Sequence, residues 1–174
     1  VGSSDTTALH LAFAARAGFP AIHAPNVSNR WEAISWRSFW EMAFNGQAPL
    51  LGGATGQDQA ENRWITIRPG KARGRLLGGN LTVLSTLMGT PWLPDFDGAI
   101  LFLEDVGEAE YRIDRMMTQL ALAGVLGKVA GVIFGQCARC TSNYPDYAGF
   151  TVSQILEQHL SSLDVPVFSG ANIG

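Results

Sequence analysis

Basic residues are few in this sequence, and their scarcity limits the partners it could bind. Lysine and arginine together number 12 against 15 aspartates and glutamates, so the 174-residue chain carries a net charge of -3. Nucleic-acid-binding proteins draw their affinity from clustered basic side chains. The one basic cluster, formed by Arg68, Lys71, Arg73 and Arg75, is spaced like the solvated face of strands. We therefore expect no DNA or RNA partner.

Cysteine and histidine are also scarce, which limits metal and redox chemistry. The two cysteines, Cys137 and Cys140, form a C-x-x-C pair. A structural zinc site needs four ligands, and the three histidines, His10, His23 and His159, are not spaced to complete one. A redox pair should open a helix after a strand, whereas the residues after Cys140 have the composition of a loop. We expect incidental thiols and no metal.

Long apolar runs are absent. No stretch approaches the about 20 consecutive apolar residues of a membrane-spanning helix, so no membrane span is predicted. Apolar residues nevertheless make up 47% of the chain, with five tryptophans and nine phenylalanines, which is enough for a packed interior. The chain begins at Val1 without a methionine, so the sequence leaves open whether a signal peptide precedes it.

The second half of the sequence predicts an α/β fold. A nearly continuous apolar run over 98–104 is typical of a strand buried on both faces. It is followed by an amphipathic helix over 108–124 and another buried strand over 129–134, which is the pattern of a strand–helix–strand crossover. A helix over 151–163 and a short strand over 165–169 complete this part.

The first half contains two predicted helices and a predicted boundary region of different composition. One helix covers 6–16. The next is capped by Ser28 or Asn29 and extends to Phe44, and its wide aromatic face is expected to be core. Residues 48–63, which are rich in glycine, glutamine, alanine and asparagine, have no regular periodicity and are interpreted as a linker between domains.

A short polar turn near the start carries the first candidate site residues. Gly2, Ser3, Ser4 and Asp5 lie where a strand gives way to a helix. A serine at such a turn can expose its hydroxyl as a nucleophile, and the helix N-terminus favours a developing oxyanion. Ser4 is the candidate nucleophile, and the backbone N–H of Asp5 is the candidate oxyanion donor. The alternative is that these short polar residues only cap the helix.

Two acids end the buried strand over 98–104. Glu104 and Asp105 stand at the edge of an α/β sheet where catalytic groups gather, so either could orient a histidine in a Ser-His-acid triad. They could equally cap the following helix. The histidine itself is missing from this pattern, because His10 points away from Ser4 on the same helix and neither His23 nor His159 has an obvious relation to the site.

Several short motifs, in order along nearly the whole chain, resemble those of the LD-carboxypeptidase family, also called muramoyltetrapeptide carboxypeptidases. The family includes the microcin C immunity peptidases. The matching segments are Gly2-Ser3-Ser4-Asp5-Thr6-Thr7-Ala8 for G-x-S-D-x-T-A, Leu77-Gly78-Gly79-Asn80-Leu81 for G-G-N, Gly89-Thr90-Pro91-Trp92 for G-T-P-W, and Leu103-Glu104-Asp105 for L-E-D.

The resemblance implies roles for individual residues. It makes Ser4 the nucleophile and Glu104 the triad carboxylate, with Asp105 as a helix-entry residue. The segment 170–174 resembles the G-x-x-x-G segment that directly precedes the family's catalytic histidine, so the third triad member is expected just after Gly174. No metal or organic cofactor is implied.

The resemblance also implies an architecture and a reaction. Residues 1–47 would be the tail of an N-terminal flavodoxin-like or amidotransferase-like α/β domain, and 64–174 most of a C-terminal swivelling β/α/β domain. The expected protein is a cytoplasmic homodimer that removes terminal D-Ala from murein tetrapeptide during peptidoglycan recycling. One alternative is the immunity-type branch, which cleaves an acyl-adenylate-like antibiotic and for which Tyr144 and Tyr147 are candidate stacking residues. The other is an inactive fragment or binding module that lacks the histidine.

Overall fold

The computed structural model describes residues 1–48, 64–142 and 146–173. All but the first residue of the predicted linker over 48–63 lies outside these ranges, as do Tyr144 and Gly174.

The centre of the fold is one five-stranded mixed sheet with the strand order β1-β5-β4-β3-β2. The edge strand β1 runs antiparallel to β5, and the other neighbours are parallel. The predicted α/β class is therefore confirmed, and the apolar run that predicted a buried strand forms the second strand from one edge. The strands are β1 (Ile65–Arg68), β2 (Leu76–Asn80), β3 (Ile100–Val106), β4 (Gly131–Ala138) and β5 (Val167–Ser169).

Five helices accompany the sheet in the described ranges: α1 (Thr6–Ala17), α2 (Ala33–Ala43), α3 (Leu81–Thr86), α4 (Glu110–Leu122) and α5 (Val152–Leu160). Sequence signals explain several of their ends. Gly18 takes a left-handed conformation that ends α1, and Thr151 forms a capping box with Gln154 at the start of α5. No helix in the described ranges is long and apolar enough to cross a membrane.

The core is formed by the central strands together with side chains of α3, α4 and α5. Leu101 and Leu103 on one face of β3 are fully buried, and Phe102 on the other face is also buried, as expected of a strand covered on both faces. Ile113, Met117 and Leu120 recur at helical spacing in α4 and face this core. Burial of each such side chain contributes about 1.5–3 kcal/mol, so the pattern that predicted this helix also stabilises it.

The helix α2 differs from the prediction. Neither Ser28 nor Asn29 caps it, because the helix begins later and its N-cap, Glu32, makes no side-chain capping bond. None of its residues is buried, and Trp36 and Trp40 are 49% and 44% exposed. The expected core role of its aromatic face is therefore wrong: the spacing shows which side of a helix is apolar, but not whether another element covers that side.

The cysteine pair also differs from the prediction. Cys137 and Cys140 form a disulfide at the end of β4, with Cα atoms 5.4 Å apart. Arg139 between them adopts a positive φ of 57°, and this turn folds the chain back so that the two side chains meet. The expectation of incidental thiols is therefore wrong.

Candidate active site

Ser4 occupies a sharp turn between an extended segment and α1. Gly2 pairs with His23 in a parallel bridge, in which the Gly2 N–H donates to the Ile22 carbonyl oxygen at 3.2 Å and the Ala24 N–H donates to the Gly2 carbonyl oxygen at 3.1 Å. Two residues later Ser4 has a φ of 54°, which is uncommon for any residue other than glycine. A Cβ on Gly2 would lie 2.7 Å from Thr6 Oγ1, so this tight turn requires glycine there.

The hydrogen bonds of the turn argue against the alternative that Ser4 and Asp5 only cap α1. The N-cap position of α1 is Asp5, and its side chain makes no capping hydrogen bond. Ser4 is exposed, and within the described part of the chain its hydroxyl makes no hydrogen bond. The turn is instead held by the backbone, since the Thr7 N–H donates to the Ser4 carbonyl oxygen at 2.9 Å. Ser4 is thus an exposed hydroxyl in a strained conformation at a helix N-terminus.

The backbone N–H of Asp5 belongs to the N-cap residue of α1. It donates no hydrogen bond to another described residue, and it lies at the positive end of the α1 dipole. Both features suit a donor to an oxyanion.

Glu104 lies at the carboxyl end of β3, directly opposite Asn80 of β2. Its side chain is buried, and Oε1 has no hydrogen-bond partner among the described residues. Burial raises the pKa of the Glu104 carboxyl, and the neighbouring Asp105 raises it further. A buried carboxylate oxygen without a partner is a costly arrangement, and it is available to orient a cationic or donating group.

Asp105 has a different role from the one expected. It lies inside β3, and α4 begins five residues later, so it is not the entry residue of that helix. Its Oδ1 accepts from Asn80 Nδ2 at 3.0 Å, and its Oδ2 accepts from the N–H and the hydroxyl of Thr82 at 2.9 and 2.8 Å. The carboxylate therefore fixes the start of α3, the helix after β2, because β2 and β3 end side by side.

Asn80 connects this network to the helix that follows Ser4. Its side-chain oxygen caps α3 by accepting from the Val83 N–H at 3.0 Å, and its own N–H donates to Thr7 Oγ1 at 3.0 Å. A Cβ on Gly79 would lie 2.6 Å from the same Thr7 oxygen. The first turn of α1 is thereby seated on the β2–α3 junction, and glycine is needed for the close approach.

His23 is the residue that sequence reasoning missed. Its Nε2 lies 3.8 Å from Glu104 Oε1, and its ring packs edge-to-face on Phe102 with centroids 5.4 Å apart. Burial, with a smaller contribution from His10, lowers the pKa of His23 to about 4. No local sequence signal identifies His23, because only the pairing of its segment with Gly2 brings it beside Glu104.

The other predicted groups lie elsewhere or remain untested. His159 Nε2 is 2.7 Å from Asp114 Oδ1, between α5 and α4, so it belongs to the helix layer. The Tyr147 hydroxyl donates to the Phe150 carbonyl oxygen at 3.3 Å. The histidine expected after Gly174 stays a prediction.

Comparison with known proteins gives the family. Residues 73–174 match the LD-carboxypeptidase C-terminal domain. A Synechocystis protein whose name includes the word carboxypeptidase is 35% identical over 177 residues, which are 100% of this chain and 54% of that protein. A Bacillus subtilis protein whose name includes murein peptide carboxypeptidase is 31% identical over 182 residues, covering 99% of this chain and 53% of that protein. The chain thus spans about half the length of these relatives.

Solved structures named for the same family are similar to this chain. The muramoyltetrapeptide carboxypeptidase of Oxalobacter formigenes has a TM-score of 0.71 and 28% identity, over 97% of this chain and 56% of that chain. The microcin C7 self-immunity protein MccF in complex with aspartyl sulfamoyl adenosine has a TM-score of 0.77 and 24% identity, over 97% and 57%, which shows similarity of fold. In sequence, MccF of Escherichia coli is 26% identical over 98% of this chain and 56% of its own length. From the matched domain and these relatives, we conclude that the chain belongs to the LD-carboxypeptidase family.

Proposed function

We propose that the protein containing this chain is a serine carboxypeptidase that hydrolyses an amide between an L-configured centre and a D-amino acid, releasing terminal D-Ala from murein tetrapeptide. One observation carries the proposal: an exposed serine in a strained turn is tied, through the pairing of Gly2 with His23, to the edge of the sheet where the buried Glu104 has a free oxygen. This arrangement occurs in a chain of the LD-carboxypeptidase family.

The proposed reaction follows the chemistry of a Ser-His-Glu triad. Ser4 Oγ attacks the diaminopimelate carbonyl carbon while its proton passes to the histidine expected after Gly174. The carbonyl oxygen becomes an oxyanion, to which the Asp5 N–H donates. When the tetrahedral intermediate collapses, the histidine gives its proton to the leaving amine of D-Ala, and an acyl-enzyme remains. Water, activated by the same histidine, then hydrolyses the ester and restores Ser4.

Glu104 supplies the charge that this cycle needs. Its burial disfavours the carboxylate in the absence of a cation, so an imidazolium beside it gains more stabilisation than it would in water. The Glu104 carboxylate is the group that such a histidine would contact. We therefore infer that the Glu104 carboxylate stabilises the imidazolium by electrostatic attraction when it forms during the reaction.

The second candidate is the immunity-type activity, which would cleave an acyl-adenylate-like compound with the same residues. It is favoured by the fold similarity to MccF, which includes a complex with aspartyl sulfamoyl adenosine. Tyr147 would be a stacking residue for the adenine in this case.

The third alternative is an inactive fragment or binding module, which would keep the sheet but have no hydrolytic activity. The first proposal, the murein carboxypeptidase, also includes a cytoplasmic location, a homodimeric state and a role in murein recycling.

The test is mass spectrometry of murein tetrapeptide incubated with the complete gene product, beside the Ser4→Ala variant. We expect the wild type to release D-Ala and the variant to be slower by at least about 10³-fold. Equal cleavage by both proteins would remove Ser4 from the mechanism. Cleavage of an aminoacyl adenylate analogue, but not of the tetrapeptide, would support the second candidate, and cleavage of neither would support the binding module.

A further inference from the structure

His23 is held beside Glu104 by contacts with the Gly2 segment and with β3. Its backbone pairs with Gly2, its ring packs edge-to-face on Phe102 of β3, and its Nε2 faces Glu104 Oε1 at 3.8 Å. The side chains of His23 and Glu104 are only 12% and 6% exposed. Little room remains for either group to turn towards solvent.

Both partners of this contact have unused hydrogen-bonding capacity. The two ring nitrogens of His23 and Oε1 of Glu104 are buried and have no hydrogen-bond partner among the described residues. Buried polar atoms are seldom left unpaired, and the gap between Nε2 and Oε1 exceeds hydrogen-bond length by less than about 1 Å. A small adjustment of either side chain therefore satisfies a donor and an acceptor at once.

We propose that His23 is a positioning residue for the triad carboxylate, and that its neutral ring donates the Nε2–H to Glu104 Oε1 and so fixes the carboxylate for the catalytic histidine. This inference rests on the proposed function. At neutral pH the donor is a neutral imidazole, because burial lowers the pKa of His23 to about 4. Because it brings no charge, it can orient Glu104 without competing with the imidazolium that forms during the reaction.

The groups that set the titration of this pair are few. Besides burial, Asp105 on the same strand raises the pKa of Glu104, and a hydrogen bond with the Asn80 side chain lowers it. His10 of α1 lowers the pKa of His23. A donated N–H stabilises the carboxylate form of Glu104. Removal of this N–H should raise the pKa of Glu104, and the acid limb of the activity profile should move to higher pH.

Two variants separate positioning from packing. His23→Phe keeps the aromatic ring that packs on Phe102 but has no N–H. His23→Gln keeps an N–H near the position of Nε2 but loses the ring. If His23 positions Glu104, the glutamine variant retains function and the phenylalanine variant does not. If His23 only fills space, the order is reversed. His10→Gln is the matched control, since His10 also has a buried ring nitrogen without a partner but no contact with Glu104.

The readout is the rate at which a fluorophosphonate labels Ser4 in the complete gene product between pH 5 and 9, with cleavage of murein tetrapeptide measured in parallel. We expect His23→Phe to label about 10-fold to 100-fold more slowly, the range for a lost hydrogen bond to a charged group, with its acid limb at higher pH. His23→Gln should stay within about 3-fold of wild type, as should His10→Gln.

Equal rates for wild type and His23→Phe, or a slower rate for the glutamine variant than for the phenylalanine variant, would overturn the positioning role. Labelling of Ser4 in a wild type that leaves the tetrapeptide intact would reject the proposed substrate and still test His23. Failure of the wild type to be labelled at Ser4 would overturn the inference together with the serine mechanism.

Discussion

Asp105 Oδ1 accepts a hydrogen bond from Asn80 Nδ2 at 3.0 Å, and both side chains are buried. Through Asn80, this bond joins the end of β3 to the cap of α3 and to Thr7 in α1. The acid that seemed a second candidate for the triad is thus the structural one of the two. Its neighbour Glu104 keeps Oε1 without a hydrogen-bond partner among the described residues.

Replacement of Asp105 should cost more stability than replacement of an exposed acid. In Asp105→Asn, an NH₂ group replaces one acceptor oxygen and faces donors from Asn80, Thr82 or the Val106 N–H. We expect the free energy of unfolding to fall by about 3 kcal/mol. Urea unfolding of the complete gene product measures this, and the exposed Asp97→Asn should change the value by less than about 0.5 kcal/mol. Equal losses in the two variants would contradict the structural role.

The conformation of Ser4 predicts a difference between two inactive variants. Ser4→Ala and Ser4→Gly both remove the hydroxyl, but glycine adopts a φ of 54° without the steric cost that alanine keeps. We expect Ser4→Gly to be more stable than Ser4→Ala by about 1 kcal/mol, as measured by thermal unfolding. If alanine were equally stable, the turn would be relaxed.

His23 should make the fold sensitive to acid. Its pKa is lowered from 6.5 to about 4 on folding, so between these values the unfolded chain binds the extra proton and stability rises with pH. Over this window His23 accounts for a loss of about 3 kcal/mol on acidification. His23→Phe does not titrate, and we expect its free energy of unfolding to fall less than that of wild type between pH 7 and pH 4.5. Identical pH dependences in urea unfolding would contradict this burial cost.

Glu104 should have the opposite effect. Its pKa is raised from 4.5 by burial and by Asp105, so the folded state binds more protons than the unfolded one above pH 4.5, and stability is lost as pH rises through the raised value. Glu104→Gln stays neutral, so we expect it to be more stable than wild type at pH 8 by about 1–3 kcal/mol, and similar at pH 4. Its hydrolytic rate should fall by at least about 10²-fold. A variant that is less stable than wild type at pH 8 would show that the carboxylate is already compensated.

The sequence predicted correctly those helices and strands whose apolar side is covered by neighbouring elements of the fold. The buried positions Ile113, Met117 and Leu120 of α4 follow from helical spacing because the sheet beside them covers that side. The aromatic helix α2 has an equally clear pattern, yet none of its residues is buried. Periodicity gives the direction of the apolar side, whereas coverage depends on which distant elements meet it.

The site shows the same division. Local sequence predicted the helix that follows Ser4 and the buried strand that carries Glu104. His23 was missed because its relation to Glu104 runs through a backbone bridge and a ring contact with Phe102, far away in the sequence. The division of labour between Glu104 and Asp105 was equally hidden, since it depends on which oxygen reaches Asn80 and Thr82.

The hydrogen bond from the Asn80 N–H to Thr7 Oγ1 spans 73 positions of the chain. Contacts of this kind require closure of a long loop, and they form after local helices and neighbouring strands. We therefore expect the serine turn to form with α1 before α1 docks beside the strand that carries Glu104. A chain caught partway, during synthesis or after local unfolding, has a serine without its charge partner. We therefore expect the proposed hydrolytic activity to depend on the completed fold.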